Sequence, residues 1–325
     1  MIPIRDTIRS SHHPVVTTAI IGVNVALYLV QLAQGAELDR FIFIYGLVPA
    51  RYTDSFLSAY FSTAQQVLSL LTFMFLHGGF WHLLGNMWSL YIFGDNVENR
   101  LGPLRYLLFY LLCGLVSGLT HLMFNPLSRV PTIGASGAIA GVMGAYFILF
   151  PHAKILTLIP IIFIPWFIEI PAFFFLAFWF VMQFLNAAGS RADMGGIAWW
   201  AHIGGFISGV ILLKVLGRLP ATGVTERFGR LTTRKTSPRL QVIYPVNAGA
   251  GDDPHLYGQI RVTAREAAAG TRKMVNIPLG FRKRMFRVIV PPGMQAGSLL
   301  RLRALGKELP DGSRGDLFLK VVIEA

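Results

Sequence analysis

Apolar residues run in long blocks along the first two thirds of the chain, near 15–34, 80–99, 104–124, 135–150, 170–188 and 197–216. A helix needs roughly 17–25 apolar residues to cross a bilayer, so length and hydropathy predict about six spans. The fourth block is short, but its Gly and Ala content suits a helix sheltered by its neighbours. Residues 155–169, ILTLIPIIFIPWFIE, are apolar but interrupted by Pro160 and Pro165, and read as an interfacial stretch leading into the fifth span. Glu169 then becomes a solvated flank. Residues 35–79 form a long segment between the first two spans. After residue 217 the pattern changes. Residues 218–251 carry Gly, Pro, Ser, Thr and Arg without sustained periodicity and read as a linker. From 252 onward, short runs such as QIRVTA, MFRVIVPP and DLFLKVVIE alternate between Gly- and Pro-containing turns, which predicts β-strands. The expected fold is an all-α polytopic membrane bundle of six helices (1–217), a flexible linker (218–251) and a small all-β domain (252–325).

Composition agrees with a membrane protein. Only 14% of residues are charged and 54% are hydrophobic, against about 25% charged in an ordinary soluble domain. A net charge of +13 could suit nucleic acid, but the basic residues cluster at the flanks of the spans and no nucleic-acid motif is present. Membrane lipid is therefore the expected partner of that charge, and nucleic acid is not. Arg5, Arg9, Arg100, Arg105, Lys154, Arg218, Arg227 and Arg230 fall on one side if both termini are cytoplasmic. Arg40 and Arg51 fall on the other, in the longer segment that also holds Glu37, Asp39 and Asp54. MIPIRDTIRSSHHP is polar and leads into the first span without a cleavage-like site, so that span is expected to stay in the membrane. With no organellar presequence visible, a bacterial plasma membrane is the expected location. The sole cysteine, Cys113, excludes disulfides within the chain and multi-cysteine metal sites, and reads as a small buried thiol.

Polar side chains inside a membrane are costly and carry a functional hypothesis by default. Three places stand out. In GASGAIAGVMGAY, residues 134–146, Ser136 stands where a glycine-rich loop enters a helix whose small residues recur every four positions. Alone, it would be a packing serine. In WWAHIGGFISG, residues 199–209, His202 shares a helix face with Gly205 and Gly209. Two small-faced helices can approach closely enough for the histidine to take the serine proton. In HGGFWHLLGNMW, residues 77–88, His82 and Asn86 are one turn apart on a shared face, where donors could stabilise an oxyanion together with the Ser136 amide. A zinc site is discounted, because HLLGN supplies neither a second histidine nor a general-base glutamate. No cofactor or metal is expected. A soluble lipase elbow around Ser136 needs a preceding strand and an acidic third member, and no carboxylate lies in the last three spans. Asn24, His121, Gln183 and Asn186 read as single polar groups bonding to neighbouring helices or facing an interface.

Taken in order, His82 and Asn86, the GASG around Ser136 and AHIGGFISG around His202 resemble the rhomboid family of intramembrane proteases. GDNVENRLG at 94–102 resembles the family's turn after its second span. The resemblance covers nearly all of residues 1–216. It implies a six-helix core with a water-filled cavity, in which Ser136 is the nucleophile, His202 the base, and His82, Asn86 and the Ser136 amide form the oxyanion hole. It also implies transmembrane protein substrates, cut in or near their membrane segments. Residues 252–325 resemble the C-terminal peptide-binding domain of DnaJ-type co-chaperones, on VTAREAAAGTRKMVNIP, FRVIVPPGMQAGSLLRLRALG and GDLFLKVVI. That likeness implies unfolded polypeptide as a partner of the tail domain. Three function classes follow: a membrane serine protease first, a non-catalytic protein that binds and delivers membrane substrates second, and a transporter last, since neither inverted repeats nor paired broken helices are seen.

Overall fold

The computed structural model describes residues 1–8, 10, 12–161, 164–189, 197–218, 232, 240–243, 253–279, 282–309 and 312–324. The chain divides into two compact units, Met1–Thr233 and Arg234–Ala325.

The first unit is a helical bundle of α1 (Val15–Leu32), α2 (Leu38–Tyr45), α3 (Ala50–Thr53), α4 (Ser55–Ser58), α5 (Thr63–Thr72), α6 (Phe80–Leu101), α7 (Pro103–Phe124), α8 (Ser136–Leu149), α9 (Ala172–Gly189) and α10 (Trp199–Arg218). Four of these, α1, α7, α9 and α10, are long and apolar enough to cross a membrane. A fifth candidate is the pair Thr63–Phe75 and Phe80–Leu101, bent by 77° at a short break. Helix α8 has 14 residues, about 21 Å at 1.5 Å per residue, which is shorter than a hydrocarbon core of about 30 Å. Helix length therefore supports four to five candidate spans among the described residues rather than the expected six.

Local chemistry sets the helix ends. Between α6 and α7 stands Leu101-Gly102-Pro103: Gly102 takes φ +80°, open to glycine at little cost, and Pro103 begins the next helix. Glu98 of α6 caps the start of α1. Its carboxylate accepts from Val16 N at 2.9 Å, Thr17 N at 2.8 Å and Thr17 Oγ1 at 2.7 Å. This satisfies donors that a helix start otherwise leaves open, and the carboxylate complements the positive end of the helix dipole. In the segment between α1 and α6, the fully buried Arg51 donates to the carbonyls of Phe43 and Ile44 and lies over the Phe61 ring at 3.7 Å.

The bundle is not all-α. Strands β1 (Ile2–Asp6), β2 (Lys154–Ile161) and β3 (Ile164–Pro171) form an antiparallel sheet in the order β1-β2-β3. The apolar stretch 155–169, read from sequence only as interfacial, is thus a paired hairpin. Pro160 pairs opposite Pro165, so both prolines fall on a single rung of the ladder instead of breaking it. The Ile-rich sequence supplies the β-branched side chains a strand prefers. At the end of β1, Asp6 ties the sheet to the bundle, its Oδ2 accepting from Tyr146 OH at 2.5 Å and Asn96 Nδ2 at 2.7 Å.

The second unit contains two three-stranded sheets. One has the order β4 (Leu240–Val242), β6 (Thr271–Leu279), β7 (Arg282–Val290); the other has β5 (Leu256–Thr263), β9 (Leu317–Glu324), β8 (Leu299–Leu302). A single core joins them, with Ile260, Val275, Ile277, Val288, Leu317 and Leu319 essentially inaccessible. It is a β-rich region but not purely β, because Ala264–Ala269 form a short helix started by a Thr263–Glu266 capping box. Most of the 218–251 linker lies outside the described residues; within it, Leu240–Val242 pair with β6.

Candidate active site

Small residues bring three helices together around Ser136. A Cβ added to Gly141 of α8 would lie 2.5 Å from the Cys113 side chain of α7 and 3.1 Å from the Gly205 carbonyl of α10. Helix α8 is thus held between the Cys113 side chain of α7 and the backbone of α10, an approach that glycine permits. Ser136 is the first residue of α8. The loop that delivers it is fixed at two points: Leu47 and Thr132 exchange backbone hydrogen bonds of 3.0 and 2.8 Å, and Gly134 N donates to Phe73 O at 2.9 Å. Gly134 has φ +129°, and a Cβ there would stand 2.8 Å from the His82 ring. Conformation and space both require glycine at this position.

The α8–α10 contact places Ser136 Oγ 2.7 Å from His202 Nε2, and His202 is buried. The ring's other nitrogen, Nδ1, lies 2.8 Å from Gln183 Oε1 on α9. Trp179 packs beside the ring at 5.9 Å between centroids, and Trp199 meets it edge-on at 6.2 Å. Gln183, read from sequence as an ordinary inter-helix polar group, is therefore the third member of a chain of contacts ending at Ser136. Its spacing of 19 residues from His202 across a helix break carries no periodic signal. The hint available was its identity, a lone amide amid apolar residues on the helix before the histidine.

His82 and Asn86 line the same cavity as Ser136 and His202, a space of about 600 Å³. The Gly78 N–H donates to His82 Nδ1 at 3.2 Å, so the ring's proton belongs on Nε2. That nitrogen faces Gly134, the residue two before the serine. Asn86 Nδ2 is buried and has no hydrogen-bond partner among the described residues. No side chain caps α8, so the N–H groups of its first turn stay available to an anion. Two side-chain donors and a helix start thus stand around one serine. Such an arrangement can activate a hydroxyl and stabilise a negative oxygen beside it.

Asn24, Asn186 and His121 make hydrogen bonds away from Ser136. Asn24 and Asn186 donate to carbonyls one turn back, at 2.8 and 2.6 Å. His121 Nε2 lies 2.9 Å from Thr132 Oγ1 and so holds the loop before Ser136. Among the described residues, no three His, Cys, Asp or Glu side chains group closely enough to hold a metal ion.

Residues 64–219 match the family model described as the Rhomboid domain. Over 197 residues the chain is 32% identical to Rhomboid protein 1, mitochondrial, of Saccharomyces cerevisiae, covering 59% of this chain and 51% of that protein. Over 76 residues it is 42% identical to Rhomboid protease GluP of Bacillus subtilis, covering 23% and 14%. Over 80 residues it is 34% identical to Inactive RHOMBOID-like protein 8 of Arabidopsis thaliana, covering 25% and 22%. The chain spans about half the length of the yeast relative and less of the other two. None of these matches tests the resemblance of residues 252–325 to a co-chaperone domain. Together with the apolar helices, they support a membrane protein whose residues 64–219 are similar to the Rhomboid domain.

Proposed function

We propose that the chain is an intramembrane serine protease that hydrolyses peptide bonds in or near transmembrane segments of other proteins. The 2.7 Å contact between Ser136 Oγ and His202 Nε2 carries this reading. In it, His202 takes the Ser136 proton as Oγ attacks the carbonyl carbon of the scissile bond. The negative oxygen that forms is met by Asn86 Nδ2, His82 Nε2 and the N–H groups at the start of α8. His202 then returns its proton to the departing amine, and water releases the acyl group by the same steps in reverse roles. A helix satisfies its own backbone groups in lipid, so a substrate must unwind before its carbonyl can reach Ser136. A second cavity of about 290 Å³ also borders Ser136 and His202, and its Met143, Phe175 and Trp179 walls suit an apolar substrate side chain. On this reading both termini are cytoplasmic and the membrane is a bacterial plasma membrane. The tail domain binds exposed apolar polypeptide on the cytoplasmic parts of substrates.

The test is active-site labelling. A fluorophosphonate added to the full chain in liposomes should modify Ser136, and His202→Ala should abolish labelling while the fold is retained. Labelling that persists without His202 would contradict the assignment of its role. A folded wild type left unlabelled would favour a non-catalytic substrate-binding protein instead.

A further inference from the structure

We propose that Gln183 is the positioning residue that selects the reactive tautomer of His202, a reading that rests on the serine-protease assignment and extends it to a third side chain. The case is built on hydrogen-bond direction. Gln183 is buried, and its two amide atoms face different partners: Nε2 lies 3.1 Å from Trp179 O, and Oε1 lies 2.8 Å from His202 Nδ1. A backbone carbonyl can only accept, so the Gln183 NH2 group must face Trp179. That leaves the amide oxygen, which also can only accept, facing the imidazole. His202 must therefore carry its proton on Nδ1, and its Nε2 is left as the acceptor for Ser136 Oγ–H.

Turning the amide over would reverse every step. The NH2 group would face Nδ1, the ring proton would move to Nε2, and Ser136 would lose its base. The carbonyl of Trp179, one helical turn back on α9, prevents this by holding the amide in one orientation. No ionisable group is needed for it. A neutral carbonyl oxygen orients the ring and supports the imidazolium formed when the serine proton arrives, without placing a second charge in an apolar bundle. The sequence has no carboxylate on α9 or α10 to do this, and the amide supplies the orienting function a carboxylate has in a three-member serine site.

Steady-state cleavage and a spectroscopic readout together test the proposal on the full chain in bilayers. Gln183→Leu keeps bulk but removes the acceptor, and should lower kcat by about 10- to 100-fold, the order by which hydrogen-bond partners that orient a metal-bound histidine act, with KM nearly unchanged. Gln183→Glu restores an acceptor oxygen and should recover kcat to well above the Leu variant. Nitrogen NMR of selectively labelled His202 should show the Nδ1–H tautomer in the wild type and in Ser136→Ala, and a shift toward Nε2–H in Gln183→Leu. An Nε2–H tautomer in the wild type, or a Leu variant with wild-type kcat, overturns the proposal. Cleavage that survives Ser136→Ala would instead overturn the protease assignment, so the two failures are distinguishable.

Discussion

Gly205 of α10 lies against the carbonyl of Gly137 in α8 so closely that no side chain fits between them. Ser136 is one residue before the first glycine's partner, and His202 is one turn before Gly205 itself. Backbone contact between these glycines is what carries the serine hydroxyl to the imidazole. Gly205→Ala should therefore separate the pair. We expect a loss of about 1–3 kcal/mol in stability from overpacking, with cleavage lost in the surviving folded fraction. Gly217→Ala, later on the same helix where a Cβ would meet nothing within 4 Å, should leave both unchanged. Unfolding in mixed micelles and a cleavage assay on the two variants check this.

Asn86 offers a buried donor with no partner of its own. If it waits for the oxyanion, Asn86→Ala should lower kcat by about 10²–10³-fold, the usual loss on removing one such donor. KM should change little, because the donor serves the transition state and not the bound substrate. A rise in KM at constant kcat would show instead that Asn86 only holds substrate.

The closeness of Ser136 and His202 is readable in the sequence because both residues lie in local patterns. GASG and HIGGFISG each place a polar side chain beside a stripe of small residues, and the stripe itself reports close packing. Gln183 was not readable in this way. A single amide in an apolar helix gives no direction, and only the placement of α9 against α10 turns it toward His202. The β1-β2-β3 sheet was missed for a different reason. Pro160 and Pro165 look like breaks along the chain, and their pairing across a hairpin is a property of register. The expected sixth span falls on α8, whose 14 residues are fewer than a full crossing needs by length alone.

Glu98 holds three donors at the start of α1. Glu98→Ala should cost about 1–3 kcal/mol, because buried N–H groups lose their acceptor. The loss should appear in denaturant unfolding. Hydrogen exchange should rise first at residues 15–18, while Ser136 and His202 stay in contact in the folded state.

In the second unit, Asp316 accepts from Ala304 N at 2.9 Å and from Arg301 Nε at 2.5 Å. The backbone N–H of Ala304, and then Arg301, hold its carboxyl below the usual carboxylate value. A carboxyl with a lowered value in the fold stabilises above its unfolded value, and that contribution is lost as pH falls through the folded one. Hydrogen exchange along β8 and β9 should therefore quicken on acidification below the ordinary aspartate range, about pH 3.9. Asp316→Asn should remove this acid dependence.

The central claim is that Ser136 and His202 together cut peptide bonds. The direct measurement is cleavage of a single-span substrate by purified protein in liposomes, with wild type beside Ser136→Ala and His202→Ala. The expected result is cutting by the wild type and none by either variant, both remaining folded. Equal cutting by all three would contradict the claim.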